Sequence, residues 1–170
     1  MRNQDDKASP DLSMALHHFV VAAAELDVAL GRRLRLSPGD YLAMKHLMTS
    51  EAALGPVELG TLVGLTSGSA TGLVDRLERG GHLHRHRDPH DRRRLVLEPS
   101  EQALDRAANE LRPLDDAIQD LATDYTDDER ATIERFLHDI TRLYRAFSRQ
   151  DRDERASRAA RTEEAGGGDD

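Results

Sequence analysis

The glycine pair Gly80-Gly81 separates two different apolar periodicities, and that change constrains the fold more than any other feature of the chain. Before the pair, VELGTLVGLTSGSATGLVDRLERGG carries apolar residues at helical spacing, broken at Gly64-Leu65 into two short helices. After it, HLHRHR alternates with period two, DPHD has the chemistry of a turn, and RRLVLE alternates back. Two short helices followed at once by a hairpin predict a helix-turn-helix with a β wing. Charged residues make up 33% of the chain and aromatics 4%, with no Trp, so the rest is expected to be helical. The expected fold class is mainly α with a small β-hairpin wing.

The flanks carry long helical patterns. Leu12, Leu16, Phe19, Val20, Ala23, Leu26, Val28 and Leu30 mark a first helix ending near Gly31. Ser37 is the expected N-cap of the next, with Pro38 at its first position and Asp40 near the positive end of its dipole. Pro99-Ser100 open a further helix, which Pro113 is expected to kink or interrupt. The last begins after Thr126, with Glu129 in capping-box position and an apolar face through Ile133, Phe136, Leu137, Ile140, Leu143, Tyr144 and Phe147. The organisation expected is a flexible N-terminus over 1–10, an N-terminal helix over 11–36, a winged module over 37–99, C-terminal helices over 100–148 and a disordered tail over 149–170. Amphipathic flanking helices leave Leu16, Phe19, Ile133, Phe136, Ile140 and Phe147 exposed unless a second copy covers them, which predicts a homodimer.

Several function classes are set aside. With no cysteine, disulfide scaffolds and thiol chemistry are removed. No uninterrupted apolar run approaches a membrane span and MRNQDDKASPD is no signal peptide, so a cytoplasmic protein without membrane contact is expected. GSATG lacks the lysine and spacing of a phosphate loop, and the carboxylates and histidines are scattered, so the chain is not expected to be an enzyme. No cofactor is expected.

The formal net charge of -8 opposes nucleic-acid binding, but much of the acid lies after Asp105, away from the basic hairpin. Ser67, Ser69, Ala70 and Thr71 open the second helix of the pair with short side chains that allow close approach to a duplex, and Arg76 lies further along it. The hairpin supplies Arg85, Arg87, Arg92, Arg93 and Arg94, with Asp91 placed to orient Arg93 by a charge-assisted hydrogen bond. A competing reading takes His82, His84 and His86 as a metal-binding face of one strand, giving a metal-responsive regulator; no specific metal site is assigned. Another takes the chain as a protein-binding dimer that does not touch DNA, which leaves Arg92-Arg93 at the hairpin tip without a purpose.

The stretch LxxLVGLTSGSATGLVDRLERGGHLHRHRDPHDRRRLVLEP resembles the core signature of the MarR (multiple antibiotic resistance regulator) family, with its Asp-x-Arg wing motif present as Asp91-Arg92-Arg93. The likeness extends over about Leu12 to Phe147. His82 stands where an aromatic or aliphatic residue is usual, and Glu98-Pro99 where Leu-Thr is frequent. The resemblance implies a sequence-specific transcriptional regulator, more often a repressor, that binds a pseudopalindromic operator in double-stranded DNA. It implies an obligate dimer through the first and last helices, and Arg93 in the minor groove braced by Asp91. It also implies a small-molecule effector, phenolic or an aromatic acid, in a crevice bordered by the helix bearing Tyr41, Met44 and His46.

Overall fold

Local capping chemistry sets the helix boundaries. The computed structural model describes the backbone of residues 10–166 and the side chains of 11–148. The elements run α1 (Pro10–Arg33), α2 (Pro38–Thr49), α3 (Pro56–Val63), α4 (Ser67–Arg79), β1 (Leu83–Arg87), β2 (Leu95–Pro99), α5 (Glu101–Ala122) and α6 (Asp127–Gly166). Ser37 Oγ accepts the Asp40 amide at 3.2 Å to start α2, and Thr66 Oγ1 accepts the Ser69 amide at 3.4 Å to start α4. Glu58 reaches back to the Gly55 amide at 3.1 Å ahead of α3. Gly64 closes α3 at φ 75°, a left-handed conformation that glycine adopts without steric cost. Ser100 Oγ accepts the Ala103 amide at 3.1 Å and donates to the Gly81 carbonyl at 2.7 Å, tying the start of α5 to the glycine pair. Thr126 and Glu129 form the expected capping box of α6.

The chain divides at Pro113–Leu114 into two compact units. In the first, α2, α3, α4, the hairpin and the start of α5 enclose a core in which Leu59, Val74, Leu77 and Leu83 are fully buried. Each such side chain contributes at most about 1.5–3 kcal/mol, an upper bound because the unfolded chain already hides some apolar area. β1 and β2 pair antiparallel with Leu83 opposite Pro99 and Arg87 opposite Leu95, and the Leu97 amide donates to the Leu54 carbonyl at 2.8 Å, adding one bridge. Leu30 of α1 is buried, and Asp27 accepts Lys45 Nζ at 2.6 Å and the Tyr41 hydroxyl at 3.3 Å, which fastens the end of α1 to α2. The second unit holds the end of α5 and α6, with an open groove lined by Ile118, Leu121, Tyr125, Ile133 and Leu137.

Five sequence expectations change. The strands are shorter than the alternation implied: His82 precedes β1, and Arg93 and Arg94 belong to the connecting loop, because Asp91 closes a turn whose carbonyl takes the Arg94 amide at 2.9 Å. α1 runs past Gly31 to Arg33. α5 is not interrupted at Pro113; the helix continues at the cost of the one hydrogen bond a proline cannot donate. The backbone of 149–166 continues α6 as helix where disorder was expected, in keeping with its many Ala, Arg and Glu residues, while 1–9 and 167–170 lie outside the described residues. Finally, Asp11–Arg33 is long and apolar enough to cross a membrane by length and composition, although charged and histidine side chains break its apolar run. The Asp27–Lys45 pair and the burial of Leu30 instead hold it to α2.

The seating of α4 on α3 depends on Gly60. A Cβ built there would lie 2.6 Å from Ala70 Cβ, too close for two side chains, so only glycine lets these helices approach this far. Gly60→Ala should destabilise the protein by about 1–3 kcal/mol in denaturant titration, the range for an overpacked core. Ala70→Gly in that background should recover part of the loss, less the cost of about 1 kcal/mol for glycine inside a helix.

Candidate nucleic-acid interface

α4 has two faces of opposite character. Ala70, Leu73, Val74 and Leu77 are buried, while Ser67, Gly68, Ser69, Thr71 and Gly72 are exposed. A Cβ added at Gly68 or Gly72 would meet nothing within 4 Å, so the outer surface of the first turns is bare backbone and hydroxyl. The sequence reading named Ser67, Ser69, Ala70 and Thr71 and passed over these two glycines, which have no side chain to weigh; their helical spacing of four was the signal. Thr66 donates to Ser69 Oγ at 3.1 Å and Thr71 donates to the Ser67 carbonyl at 3.0 Å, so these hydroxyls are held by the first turns of the helix itself. Ala70 is corrected: at 3% exposure it is a packing residue against Gly60 and not a contact surface.

The hairpin tip is built by two aspartates. Asp88 Oδ1 accepts the His90 amide at 2.8 Å and the Asp91 amide at 3.3 Å. The His90 amide holds the Asp88 carboxyl below the usual carboxylate range against partial burial, helped by the Asp91 amide and by Arg94. Asp91 Oδ1 accepts the Arg93 backbone amide at 2.9 Å. Asp91 therefore fixes the Arg93 backbone and not, as expected, its guanidinium.

The arginines sort into committed and uncommitted groups. Arg85 bonds Asp75 and approaches Glu78 on α4. Arg94 donates to the Ala53 carbonyl at 2.7 Å and to Glu58 at 3.1 Å. Arg87 donates to the Arg93 carbonyl at 3.1 Å. Among the described residues, the exposed guanidinium groups of Arg92 and Arg93 have no partner. Sequence alone placed all five together because a basic run does not show which carboxylates the fold will bring beside it.

Arg76 is likewise committed. Its Nε and Nη2 clamp Asp40, at 3.0 Å to Oδ2 and 2.6 Å to Oδ1, and so join α4 to the start of α2. The Asp40 side chain is 8% exposed. Burial by itself would raise its carboxyl, but hydrogen bonds from Arg76 and Ser37 outweigh that and hold it below the usual range.

Behind α4, α1, α2 and α5 enclose a cavity of about 230 Å³. Leu26, Tyr41, Met44 and Ala107 give it apolar walls, and His82 and Arg106 enter from one side. Burial and the charge of Arg106 push the His82 imidazole below its ordinary value despite Asp40 nearby. Burial and Asp27 push the Tyr41 hydroxyl up to about 12. Tyr41 and Met44 thus border a cavity as expected, whereas His46 is not among its lining residues. The three alternate histidines do not share one site. His82 faces the cavity, His84 is exposed, and His86 lies 3.6 Å from Glu98 beside a separate depression. Among the described residues no cluster of three ligating side chains suits a metal ion.

Comparison with known proteins agrees with this geometry. A model of the MarR family matches residues 30–94. The chain is 37% identical over 109 residues to the HTH-type transcriptional regulator YcgE of Bacillus subtilis (strain 168), spanning 64% of this chain and 70% of that protein. A MarR family protein from Bacillus stearothermophilus superposes with TM-score 0.59 at 21% identity, over 78% of this chain and 91% of that one. A mutant of MepR from a multidrug resistant S. aureus clinical isolate gives TM-score 0.61 at 14% identity, over 76% and 94%. Both solved structures share the winged-helix fold described above.

The Asp40–Arg76 clamp gives a pH-dependent expectation. A carboxyl whose folded value is depressed stabilises the fold above its unfolded value, near 3.8, and that contribution is lost as pH falls through the folded value. Arg76→Ala leaves the buried carboxylate without its partner, so its folded value should rise and protonation should then relieve the strain. Thermal unfolding should show Arg76→Ala well below wild type at pH 7, with the gap closing as pH approaches about 4. Asp40→Asn in the Arg76→Ala background should restore much of the loss at pH 7.

Proposed function

The chain belongs to the MarR family of winged helix-turn-helix transcriptional regulators, and from that premise we propose that it binds a pseudopalindromic operator in double-stranded DNA as a homodimer and represses transcription until a small molecule releases it. The observation that carries the reading is the pairing of a bare, hydroxyl-lined α4 surface with a wing tip whose Arg92 and Arg93 have no partner in the protein among the described residues. The first suits a major groove, where backbone and short side chains can approach base edges. The second suits a narrow minor groove, whose enhanced negative potential attracts an arginine. A protein-binding dimer that ignores DNA gives no reason for an aspartate-built turn that ends in two unpaired guanidinium groups. The overall acidity is no obstacle, because the DNA-facing surface is defined locally.

Dimerisation rests on apolar surface. Phe19 on α1 is 62% exposed and Phe147 on α6 is 79% exposed, and Ile133, Phe136 and Leu143 are also open. Leu16 and Ile140, from the same expected set, are half-buried. So much exposed aromatic and aliphatic surface on long helices calls for a second copy. The cavity behind α4 is the proposed effector site. At about 230 Å³ it exceeds the roughly 150 Å³ that accepts benzene, so a single ring bearing an acid group fits. Arg106 spends its Nε on the Gln102 carbonyl and keeps its terminal nitrogens for a carboxylate.

Footprinting on the DNA upstream of the protein's own gene should show two half-sites centred about 10 base pairs apart. Arg93→Ala should weaken operator binding by about 1–3 kcal/mol, the range for one well-placed groove contact. Asp91→Ala should lose less, and the double variant should be less than additive, since Asp91 acts by holding the Arg93 backbone. Simultaneous replacement of His84 and His86 should change little. A silent Arg93→Ala, or wild-type protein with no salt-dependent DNA binding, would overturn the proposal.

A further inference from the structure

We propose that Arg85 and Arg94 are positioning residues, struts that hold the wing against α4 and α3, and that neither contacts a phosphate. The inference rests on the DNA-binding reading above and separates two members of a basic cluster that sequence alone presents as uniform.

Arg85 lies on the inward-facing alternation of β1, its side chain 25% exposed. Its Nη2 bonds Asp75, and its Nε lies 3.4 Å from Glu78 Oε2. Asp75 and Glu78 are three residues apart on α4 and therefore on one face of the helix. The Nε is buried and makes no hydrogen bond of good geometry, so nothing external reaches it. Two of the three guanidinium nitrogens are thus turned to carboxylates of α4, and the charge a phosphate would meet is already paired. Arg94 does the same work at the other edge of the wing. Its Nη2 bonds the Ala53 carbonyl and Glu58 Oε1, and its Nη1 lies 3.7 Å from Asp88 Oδ2. Glu58 in turn uses Oε2 on the Gly55 amide, and Asp88 uses Oδ1 on the amides of the wing tip. A chain of hydrogen bonds and one longer ion pair thus runs from the start of α3 to the turn that presents Arg93.

The consequence is mechanical and electrostatic. A two-stranded hairpin is only marginally stable by itself, so its aim relative to α4 must come from contacts outside the strands. Charge-assisted bonds to both helices supply that aim and make wing and recognition helix one rigid reader, which lowers the ordering cost on binding. The same pairs neutralise Asp75, Glu78 and Glu58, acids that would otherwise repel the duplex.

Operator affinity measured by fluorescence anisotropy over a range of salt concentrations tests this. A phosphate contact contributes about 0.9 to the slope of log K against log salt. Arg85→Gln and Arg94→Gln should each weaken binding, roughly tenfold, with the slope unchanged. Asp75→Asn and Glu58→Gln should weaken it as well, although each removes a negative charge near DNA, and Arg85→Gln/Asp75→Asn should be no worse than the worse single variant. Arg85→Lys keeps the charge but loses the planar fork, so it should behave like Arg85→Gln. A slope lower by about 0.9 in either glutamine variant, full affinity for Arg85→Lys, or tighter binding by Asp75→Asn would overturn the proposal. Circular dichroism at the assay temperature identifies any variant that unfolds, and Asp75→Asn and Arg85→Lys then decide the matter for Arg85. Wild-type protein that binds no DNA would count against the function proposed above and not against the struts.

Discussion

Gly60 allows Ala70 to approach closer than any pair of side chains could, and that single contact sets where α4 lies. With α4 seated on α3, the row Leu73, Val74 and Leu77 enters the core and the opposite row is left outside. A helix cannot bury one stripe without presenting the other, so the bare surface of Ser67, Gly68, Thr71 and Gly72 follows from the packing of its back. Asp40 then fixes the far part of the helix through Arg76, at a site where an unpaired carboxylate would be costly to bury. Steric closeness at one end and a charged clamp at the other leave α4 little freedom to rotate.

The wing inherits its position from α4 and α3. Leu83 and Leu97 anchor it in the core, Arg85 and Arg94 fasten its edges, and Asp88 and Asp91 fold its tip so that Arg92 and Arg93 face outward. The basic cluster is therefore divided by function: part of its charge is spent inside the protein to aim the remainder. The cavity lies close to this apparatus. His82, at the junction of α4 and β1, lines it and also carries the backbone bonds that join Leu77 to Ser100. His82 thus joins the lining of the cavity to the end of α4 and the start of α5 by backbone bonds.

Sequence alone determined the order of elements, because capping residues and apolar periods are local. Ser37 caps α2, Ser100 opens α5 and Thr126 starts α6 where the chain predicts, and the change of period at Gly80-Gly81 identified the hairpin and with it the MarR likeness. What it could not assign were properties that depend on residues far apart in the chain. Arg76 meets Asp40, Arg94 meets Glu58 and Ala70 meets Gly60 only after folding; the last of these meetings buries Ala70, and the other two give the arginines partners inside the protein. The tertiary structure likewise sent His82 into a cavity and left His84 exposed, although alternation placed them alike. Periodicity reports which way a side chain points from its own backbone; only packing decides whether a partner is waiting there.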